Sequence, residues 1–236
     1  EWAWMGGGVS PNGVYGQKGV PSPSNFPGAR TLVAWYLTST RELWLFGGTG
    51  FGSTSTALRP SAFDYNENIS VPSLSALNCI GLLNDLWRYR MNDSTWTWIS
   101  GSDKANQPGI YGEKGNASTE NVPGARYGAI AWYDSLREEF WLFGGYGYDN
   151  TNTGMFCKTF CKSVIPILNS TLGWLNDLWR YRMNDSTWTW MGGSNTINQP
   201  GVYDEQGVAN SPYLPRSRKS AAGWYDSLRE EFWLFG

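Results

Sequence analysis

The chain has 236 residues and a net charge of -2, with 16% charged and 16% aromatic residues. A charge this small does not attract nucleic acid or an anionic membrane, and no apolar run reaches the roughly 20 residues that cross a bilayer. The sequence contains no His, which removes the commonest general base, the usual zinc ligand and every Ser-His or Cys-His pair within these residues.

Two blocks of sequence recur at a fixed distance. Residues 84–98 read NDLWRYRMNDSTWTW and recur unchanged at residues 176–190. Residues 132–144 read WYDSLREEFWLFG and recur at residues 224–236, again 92 positions later. A repeat at a constant period indicates a fold built from stacked copies of one supersecondary unit.

In chain order, the repeat divides the sequence into units and connections. We predict complete units over residues 30–100 and 126–192, preceded by one trailing strand (1–5) and followed by the first two strands of a further unit (218–236). Gly- and Pro-rich connections cover residues 6–29, 101–125 and 193–217. All three keep one pattern (GVYGQKG, GIYGEKG, GVYDEQG), which predicts a defined structure packed between the units.

The second unit shows the predicted strands most clearly. Residues 126–133 (RYGAIAWY) are apolar and predict a buried strand, and residues 140–143 (FWLF) predict a second one that stops at a double glycine. Residues 175–181 (LNDLWRY) predict a third strand, and residues 187–190 (TWTW) alternate as a half-buried edge strand does. Four short strands per unit, without helical periodicity, predict an all-β fold of propeller blades, each with four antiparallel strands.

The unit resembles a kelch repeat, the type found in the central domain of galactose oxidase. The family pattern is a double glycine after the second strand, then a Tyr, then a Trp. In this sequence those positions are Gly47, Gly48, Tyr89 and Trp96, followed by Gly144, Gly145, Tyr181 and Trp188. The resemblance implies that the glycines sit where φ is positive or the backbone is crowded, and that the Tyr and Trp pack between neighbouring sheets.

The resemblance also implies a larger assembly. Kelch propellers typically close a ring of about six or seven blades, and this sequence supplies strands for roughly three. It is then a piece of a larger propeller, or neighbouring chains supply the other blades. A third alternative is an open stack that grows as a fibre, because a repeated interface that does not close produces a filament.

The loops are expected to differ between the two ends of each blade. Strand connections alternate in a meander, so both short turns fall at one end, and the second-to-third loops and inter-unit connections fall at the other. Long loops on a rigid scaffold often carry binding. The second-to-third loops differ most between units, and their apolar residues are our partner-binding candidates: Phe51, Tyr146, Tyr148, Phe156, Phe160 and Trp174. The alternative is that these residues cover the scaffold as small satellite cores.

Sequons and cysteines bear on the cellular compartment. The five Asn-x-Ser/Thr triplets begin at Asn68, Asn92, Asn116, Asn169 and Asn184, all in predicted loops or turns. Covalent N-glycans and an extracellular or secreted location explain all five together. The three cysteines are Cys79, Cys157 and Cys161. One disulfide is predicted among them, either a local Cys157–Cys161 link or a link from Cys79 to one of the other two, and free thiols are the alternative.

Several kinds of chemistry are not supported by the residue pattern. Copper radical oxidases similar to galactose oxidase need His ligands, and this sequence has none. The pairs Glu138-Glu139 and Glu230-Glu231 are adjacent in a turn, so their side chains diverge, and their repetition indicates a solvated turn. Asp85 and Asp177 are expected to bond neighbouring backbone. We therefore predict no catalytic site, no metal and no cofactor.

The sequence thus predicts a non-enzymatic, extracellular kelch-propeller scaffold for protein interaction or structural assembly, whose partners are other proteins or copies of itself. The first alternative is a carbohydrate-binding propeller that uses loop aromatics for stacking. The second is the propeller portion of a larger enzyme whose catalytic residues lie elsewhere.

Overall fold

The computed structural model describes residues 7–8, 10–37, 39–54, 81–151, 172–203, 205–208 and 213–236. Within these ranges the regular structure is entirely β, in antiparallel sheets, which confirms the predicted all-β class. The strands of the first sheet are β1 (Arg30–Leu37), β2 (Glu42–Gly50), β3 (Gly81–Arg90) and β4 (Thr95–Ser100). Those of the second are β5 (Arg126–Tyr127), β6 (Ile130–Asp134), β7 (Glu139–Tyr148), β8 (Leu172–Arg182) and β9 (Thr187–Gly192). The third sheet is the hairpin of β10 (Ala222–Asp226) and β11 (Glu231–Phe235).

We call the three sheets units 1, 2 and 3, after their order in the chain. In unit 1 each strand pairs with the next along the chain, in the order β1-β2-β3-β4. Unit 2 has the order β5-β7-β8-β9, with β6 also paired to β7. Identical sequence produces identical pairing, since Tyr89 lies opposite Trp96 in unit 1 and Tyr181 lies opposite Trp188 in unit 2.

The double glycines lie inside the second strands, whereas the sequence predicted that they end them. β2 and β7 continue to Gly50 and Tyr148, and each has a register shift at its glycine pair. Gly47 has φ of 56° and Gly144 has φ of 63°, so the expected positive φ is confirmed. A Cβ at Gly144 would lie 2.9 Å from the Leu175 carbonyl oxygen, so the glycine lets another backbone approach the bulge.

The first strand of unit 2 is also interrupted, whereas the sequence predicted one continuous strand over residues 126–133. Gly128 adopts φ of 65°, and the chain kinks there between β5 and β6. Glycine weakens the interior of a strand and often marks a bend, which accounts for the kink at this position.

Among the described residues, the first two inter-unit connections have a defined structure, as their repeated pattern predicted. Each folds back on itself through one isolated bridge, Val14 to Phe26 in the first and Ile110 to Val122 in the second. The second connection then runs along β9, where the amide of Gly115 donates to the carbonyl of Trp190 at 2.8 Å. β9 is the outermost strand of its sheet, as predicted, but its burial does not alternate, because Thr187, Trp188 and Thr189 are all buried.

Both short turns of a unit lie at the same end of its sheet, as predicted. The amide of Met91 donates to the carbonyl of Arg41 at 3.2 Å, and Met183 bonds to Glu138 in the same way at 3.4 Å. These bonds join the third-to-fourth turn to the first-to-second turn.

Within the described residues, no helix is both long and apolar enough to cross a bilayer.

The main hydrophobic core lies between units 1 and 2. It joins Trp35, Trp44 and Phe46 of unit 1 to Phe140 and Trp179 of unit 2. A smaller cluster joins unit 2 to unit 3 in the same manner. Each sheet therefore buries its apolar face against the next sheet, as stacked repeats do.

Candidate functional site

A buried ion pair organises each complete unit. In unit 2, Arg126 donates from Nη1 and Nη2 to the two carboxylate oxygens of Asp177, at 2.6 and 2.7 Å. Neither side chain is exposed to solvent. Asp177 Oδ2 also accepts hydrogen bonds from the Tyr111 hydroxyl at 2.6 Å and from Trp179 Nε1 at 2.7 Å. We call this set the Arg–Asp cluster.

Unit 1 builds the same cluster from equivalent residues. Arg30 Nη1 lies 2.5 Å from Asp85 Oδ1, and the Tyr15 hydroxyl and Trp87 Nε1 donate to Asp85 Oδ2 at 2.5 and 2.7 Å. The expectation that Asp85 and Asp177 bond neighbouring backbone is therefore wrong. A carboxylate in an apolar strand needs a charged partner when it is buried, and the recurring Gly-x-Tyr and Pro-Gly-Ala-Arg segments supply it.

The Arg–Asp cluster is saturated with hydrogen bonds, which limits its chemistry. Burial, with the Asp177 charge, raises the pKa of Tyr111 well above its ordinary value. Burial also acts to lower the pKa of Arg126, but attraction to and hydrogen bonds with Asp177 outweigh it, so the guanidinium pKa rises. The tyrosine thus stays neutral and the arginine stays charged. The cluster ties the inter-unit connection, the first strand and the third strand together, and it offers no free base or nucleophile.

An aromatic junction connects units 1 and 2. Trp35 and Trp44 lie opposite each other on neighbouring strands of unit 1. The ring of Phe140, from unit 2, has its centroid 4.7 Å from Trp35 and 5.0 Å from Trp44. Tyr133 flanks the same phenyl ring at 5.2 Å. Contacts at these distances combine apolar burial with favourable ring geometry.

The same junction recurs between units 2 and 3. Phe232 lies 5.2 Å from Trp132 and 4.8 Å from Trp141, measured between ring centroids. The corresponding tryptophans of unit 3, Trp224 and Trp233, stack on each other at 5.9 Å and are 51% and 46% exposed. In units 1 and 2 the equivalent tryptophan pair packs against a phenylalanine of the next unit.

The kelch-pattern tyrosines and tryptophans differ in burial between units. Tyr181 and Trp188 are fully buried, and Trp188 contacts Phe46 of unit 1 at 5.6 Å. This contact confirms the predicted packing of Trp188 between sheets. Tyr89 and Trp96 are half-buried, with ring centroids 5.0 Å apart, and Trp96 packs against a small core cluster of unit 1.

The partner-binding candidates occupy different environments. Tyr148 is buried beside Leu82 and is not presented at the surface. Phe51 and Tyr146 are half-buried, and Trp174 is 45% exposed. Phe156 and Phe160 lie outside the described residues, as do Cys79, Cys157, Cys161, Asn68 and Asn169.

Two residues that the sequence did not single out complete an aromatic surface at the long-loop end of unit 2. Tyr146 pairs with Trp174 across neighbouring strands, and its ring lies 5.6 Å from that of Tyr127. Lys219 donates from Nζ to the Tyr127 hydroxyl at 2.9 Å and lies 4.9 Å from that ring centroid. Only the three-dimensional fold brings Tyr127 and Lys219 together, because 92 residues separate them.

The paired glutamates of the short turns separate, as their adjacency predicted. Glu138 is exposed with φ of 55°, but Glu139 is only 6% exposed, so the solvated environment predicted for it is wrong. Its Oε1 lies 3.5 Å from Arg180 Nη1, beside a cavity of about 260 Å³ between units 2 and 3. Arg137 there pairs with Asp134 at 2.8 Å and also with Glu230.

The remaining predicted positions are at the surface. Asn92, Asn116 and Asn184 are all exposed.

In the part of the chain that the structure describes, no group of three or more His, Cys, Asp or Glu side chains is arranged to hold a metal ion. The sequence matches no known family model, and it matches no curated protein.

Proposed function

We propose that this chain is part of an extracellular, non-enzymatic kelch-type β-propeller that serves as a scaffold for protein interaction or structural assembly. The observation that carries the proposal is the aromatic junction, in which Phe140 enters the Trp35–Trp44 pair of one unit and Phe232 enters the Trp132–Trp141 pair of the next. A repeated interface of this kind joins similar units face to face. The double-glycine pattern and the four-stranded order of unit 1 agree with a kelch blade.

Electron microscopy of the purified native protein tests the assembly. Closed rings are the expected result, and they would eliminate the filament variant, whereas long fibres would favour it. Single particles no larger than one chain, at every concentration examined, would contradict assembly through the junction. Size-exclusion chromatography with light scattering gives the number of chains in each particle.

The extracellular location is a separate part of the proposal. Asn92 and Asn184 occupy the exposed third-to-fourth turns, and Asn116 is exposed in an inter-unit connection. Mass spectrometry of secreted protein is expected to find glycans on all three. The matched control is Asn150, which is exposed but outside any sequon. Unmodified asparagines at all three sites in secreted material would contradict the glycoprotein proposal.

Carbohydrate binding is a second candidate, favoured by the exposed Trp174 ring beside Tyr146 and Tyr127. Aromatic faces next to hydrogen-bonding groups suit polar ligands that also carry apolar surface. A glycan array tests it, with the Trp174→Ala variant expected to lose any signal. Leu228→Ala, which changes an exposed apolar residue at the opposite end of the sheets, serves as the control. Binding to no glycan would rule out this second function.

A further inference from the structure

The outer strand of each complete unit is covered by the inter-unit connection that precedes that unit. In unit 2 the amide of Gly115 donates to the Trp190 carbonyl at 2.8 Å. Three residues later the amide of Ser118 donates to the Trp188 carbonyl at 3.3 Å. The first connection makes the same two bonds to β4 of unit 1, at 2.8 and 3.2 Å. Each connection thus occupies backbone groups on which a strand of another chain could otherwise pair.

The two outer strands have the same sequence, whereas the three connections do not. Residues 95–98 and 187–190 both read TWTW. The first connection (13–26) reads GVYGQKGVPSPSNF, the second (109–122) reads GIYGEKGNASTENV, and the third (201–214) reads GVYDEQGVANSPYL. The first two share four residues that the third lacks, and in the second connection these are Gly112, Lys114, Ser118 and Asn121. Ser118 bonds to the outer strand through its backbone, so the other three carry the difference in side-chain contacts.

The lysine fixes the connection to the end of the outer strand. Lys114 donates from Nζ to the Gly193 carbonyl at 3.0 Å and lies 4.4 Å from the centroid of the Trp190 ring. Lys18 makes the equivalent contacts in unit 1, at 2.9 and 4.5 Å. An ammonium group over a tryptophan face is attracted by the ring. Gln206 stands at this position in the third connection and carries no charge, so it cannot supply that attraction.

The asparagine bonds the connection to itself and to the outer strand together. Asn121 is 3% exposed, and its Nδ2 donates to the carbonyls of Asn116 at 2.9 Å and Trp188 at 3.2 Å. Gly112 lies against this amide with φ of 60°, and a Cβ there would be 2.5 Å from Asn121 Oδ1. The glycine and the asparagine therefore depend on each other.

The first connection repeats this glycine–asparagine contact, and the third connection replaces both residues. In the first, Asn25 Nδ2 donates to carbonyls at 3.1 and 3.4 Å, and a Cβ at Gly16 would lie 2.4 Å from Asn25 Oδ1. The third connection has Asp204 and Tyr213 at these positions. A tyrosine has no amide to bond both carbonyls and is too large for a site that buries an asparagine, and the Cβ of an aspartate needs space that the glycine leaves to the amide.

We infer that Gly112, Lys114 and Asn121, with their counterparts in the first connection, determine which connection the outer strand of a unit accepts. The strand accepts a segment of the pattern Gly-Val/Ile-Tyr-Gly-x-Lys-Gly with an Asn seven residues after the Lys, and it rejects the third connection. The tyrosine does not discriminate, because all three connections carry it. These contacts lie within one chain, so the inference holds or fails independently of the proposed assembly.

Three chimeras of the 236-residue chain test this specificity. The first replaces residues 109–122 by the sequence of residues 13–26, and the second replaces them by the sequence of residues 201–214. The third also carries the sequence of residues 201–214 but keeps Gly112, Lys114 and Asn121. Hydrogen exchange of the amide at position 115, which is glycine in every case, reports docking because that amide bonds to β9.

Exchange in the first and third chimeras is expected to stay within about threefold of the native rate, and exchange in the second is expected to be about tenfold faster or more. Exchange in β7, which the connection does not cover, is the internal control for folding. If β7 also exchanges faster in the second chimera, that chimera has lost its fold, and the third chimera and the single variants below decide.

Single variants of the native chain give an independent measurement. Lys114→Gln is expected to speed exchange at Gly115 by about threefold or more, because the charge over the Trp190 ring is lost. Glu113→Gln is the matched control, since its carboxylate bonds to the exposed Asn116 side chain and Gln17 stands at this position in the first connection. Its effect is expected to be less than about twofold.

Three results would overturn the inference. The first is equal exchange at position 115 in the first and second chimeras. The second is exchange in the third chimera as fast as in the second. The third is an equal effect of Lys114→Gln and Glu113→Gln.

Discussion

At the scale of single residues, the Arg126–Asp177 pair is expected to contribute strongly to the stability of unit 2. Both side chains are fully buried, so removing one charge leaves the other without compensation. Removing one charge of a surface pair lowers the unfolding free energy much less, because water solvates the charge that remains.

Asp177→Asn is expected to lower the free energy of unfolding by about 3–5 kcal/mol, because Arg126 stays charged in a buried site. Asp185→Asn is the matched control, since Asp185 pairs with Arg182 at the surface and its loss costs about 1 kcal/mol or less. Urea denaturation followed by tryptophan fluorescence measures both. Equal effects from the two substitutions would contradict a structural role for the Arg–Asp cluster.

Tyr181 makes stability sensitive to high pH. Burial raises its pKa to about 12 from 10.0. A raised pKa means that the contribution is fully present below pH 10 and is lost as pH rises through 12, because the unfolded chain releases its proton first. Between pH 10 and 12, the unfolding free energy of the native protein is expected to fall by about 1.4 kcal/mol per pH unit relative to Tyr181→Phe.

Denaturation of both proteins at pH 9 and pH 11 gives this difference. The other buried tyrosines are common to the two proteins, so their contributions cancel. Parallel pH dependence in the two would show that Tyr181 does not ionise preferentially in the unfolded state.

At the scale of elements, the glycine bulges place each second strand against the neighbouring backbone. Gly144→Ala is expected to lower the unfolding free energy by about 2 kcal/mol or more, because a Cβ there lies 2.8 Å from the Arg218 carbonyl oxygen at a positive φ. Gly115→Ala is the control, because Gly115 has φ of 86° but open space around its Cβ position. Its cost is backbone strain alone, about 1–2 kcal/mol. Thermal unfolding of both variants provides the comparison, and a smaller loss for Gly144→Ala would contradict close packing at the bulge.

The strands could be predicted from the sequence because apolar runs and repeated blocks mark them directly. The continuation of β7 through Gly144 could not, since a double glycine is typical of both a strand end and a bulge. The burial of β9 was missed for a different reason: the segment that covers it lies about 70 residues earlier, and strand alternation carries no information about such partners.

The candidate site also has parts that the sequence predicts and parts that it does not. Trp174 and Tyr148 were both assigned to a variable loop, but they lie in β8 and β7, where Trp174 is 45% exposed and Tyr148 is buried. The sequence did not separate them, because both residues have the same apolar character. The partners of Asp177 come from residues 111 and 126 as well as from its own strand. Spacing alone does not bring those three segments to one point.

At the scale of the whole molecule, stability depends on how units stack. Phe140→Ala is expected to lower the unfolding free energy by about 3–5 kcal/mol, because the phenyl ring is fully buried between two tryptophans and its removal leaves a cavity. Phe232→Ala is the matched variant at the next junction, where the ring is half-buried. Its effect is expected to be smaller, about 1–2 kcal/mol, and confined to unit 3.

Hydrogen exchange separates the two variants. Phe140→Ala is expected to speed exchange in β1, β2 and β7 together, whereas Phe232→Ala speeds it in β10 and β11. Faster exchange restricted to β7 in the first variant would contradict coupling of units 1 and 2 through the junction.

The placement of Tyr111 changes where the molecule can be cut. This residue lies in the connection before unit 2, yet its hydroxyl is bonded to Asp177 and its segment runs along β9. An excision at Arg126, the start of the sheet, would discard a tyrosine that the buried aspartate needs and would expose the outer strand. The boundary of the structural unit therefore lies near residue 109. A unit moved into another protein needs its preceding connection as well as its sheet, because the sheet alone lacks part of the core.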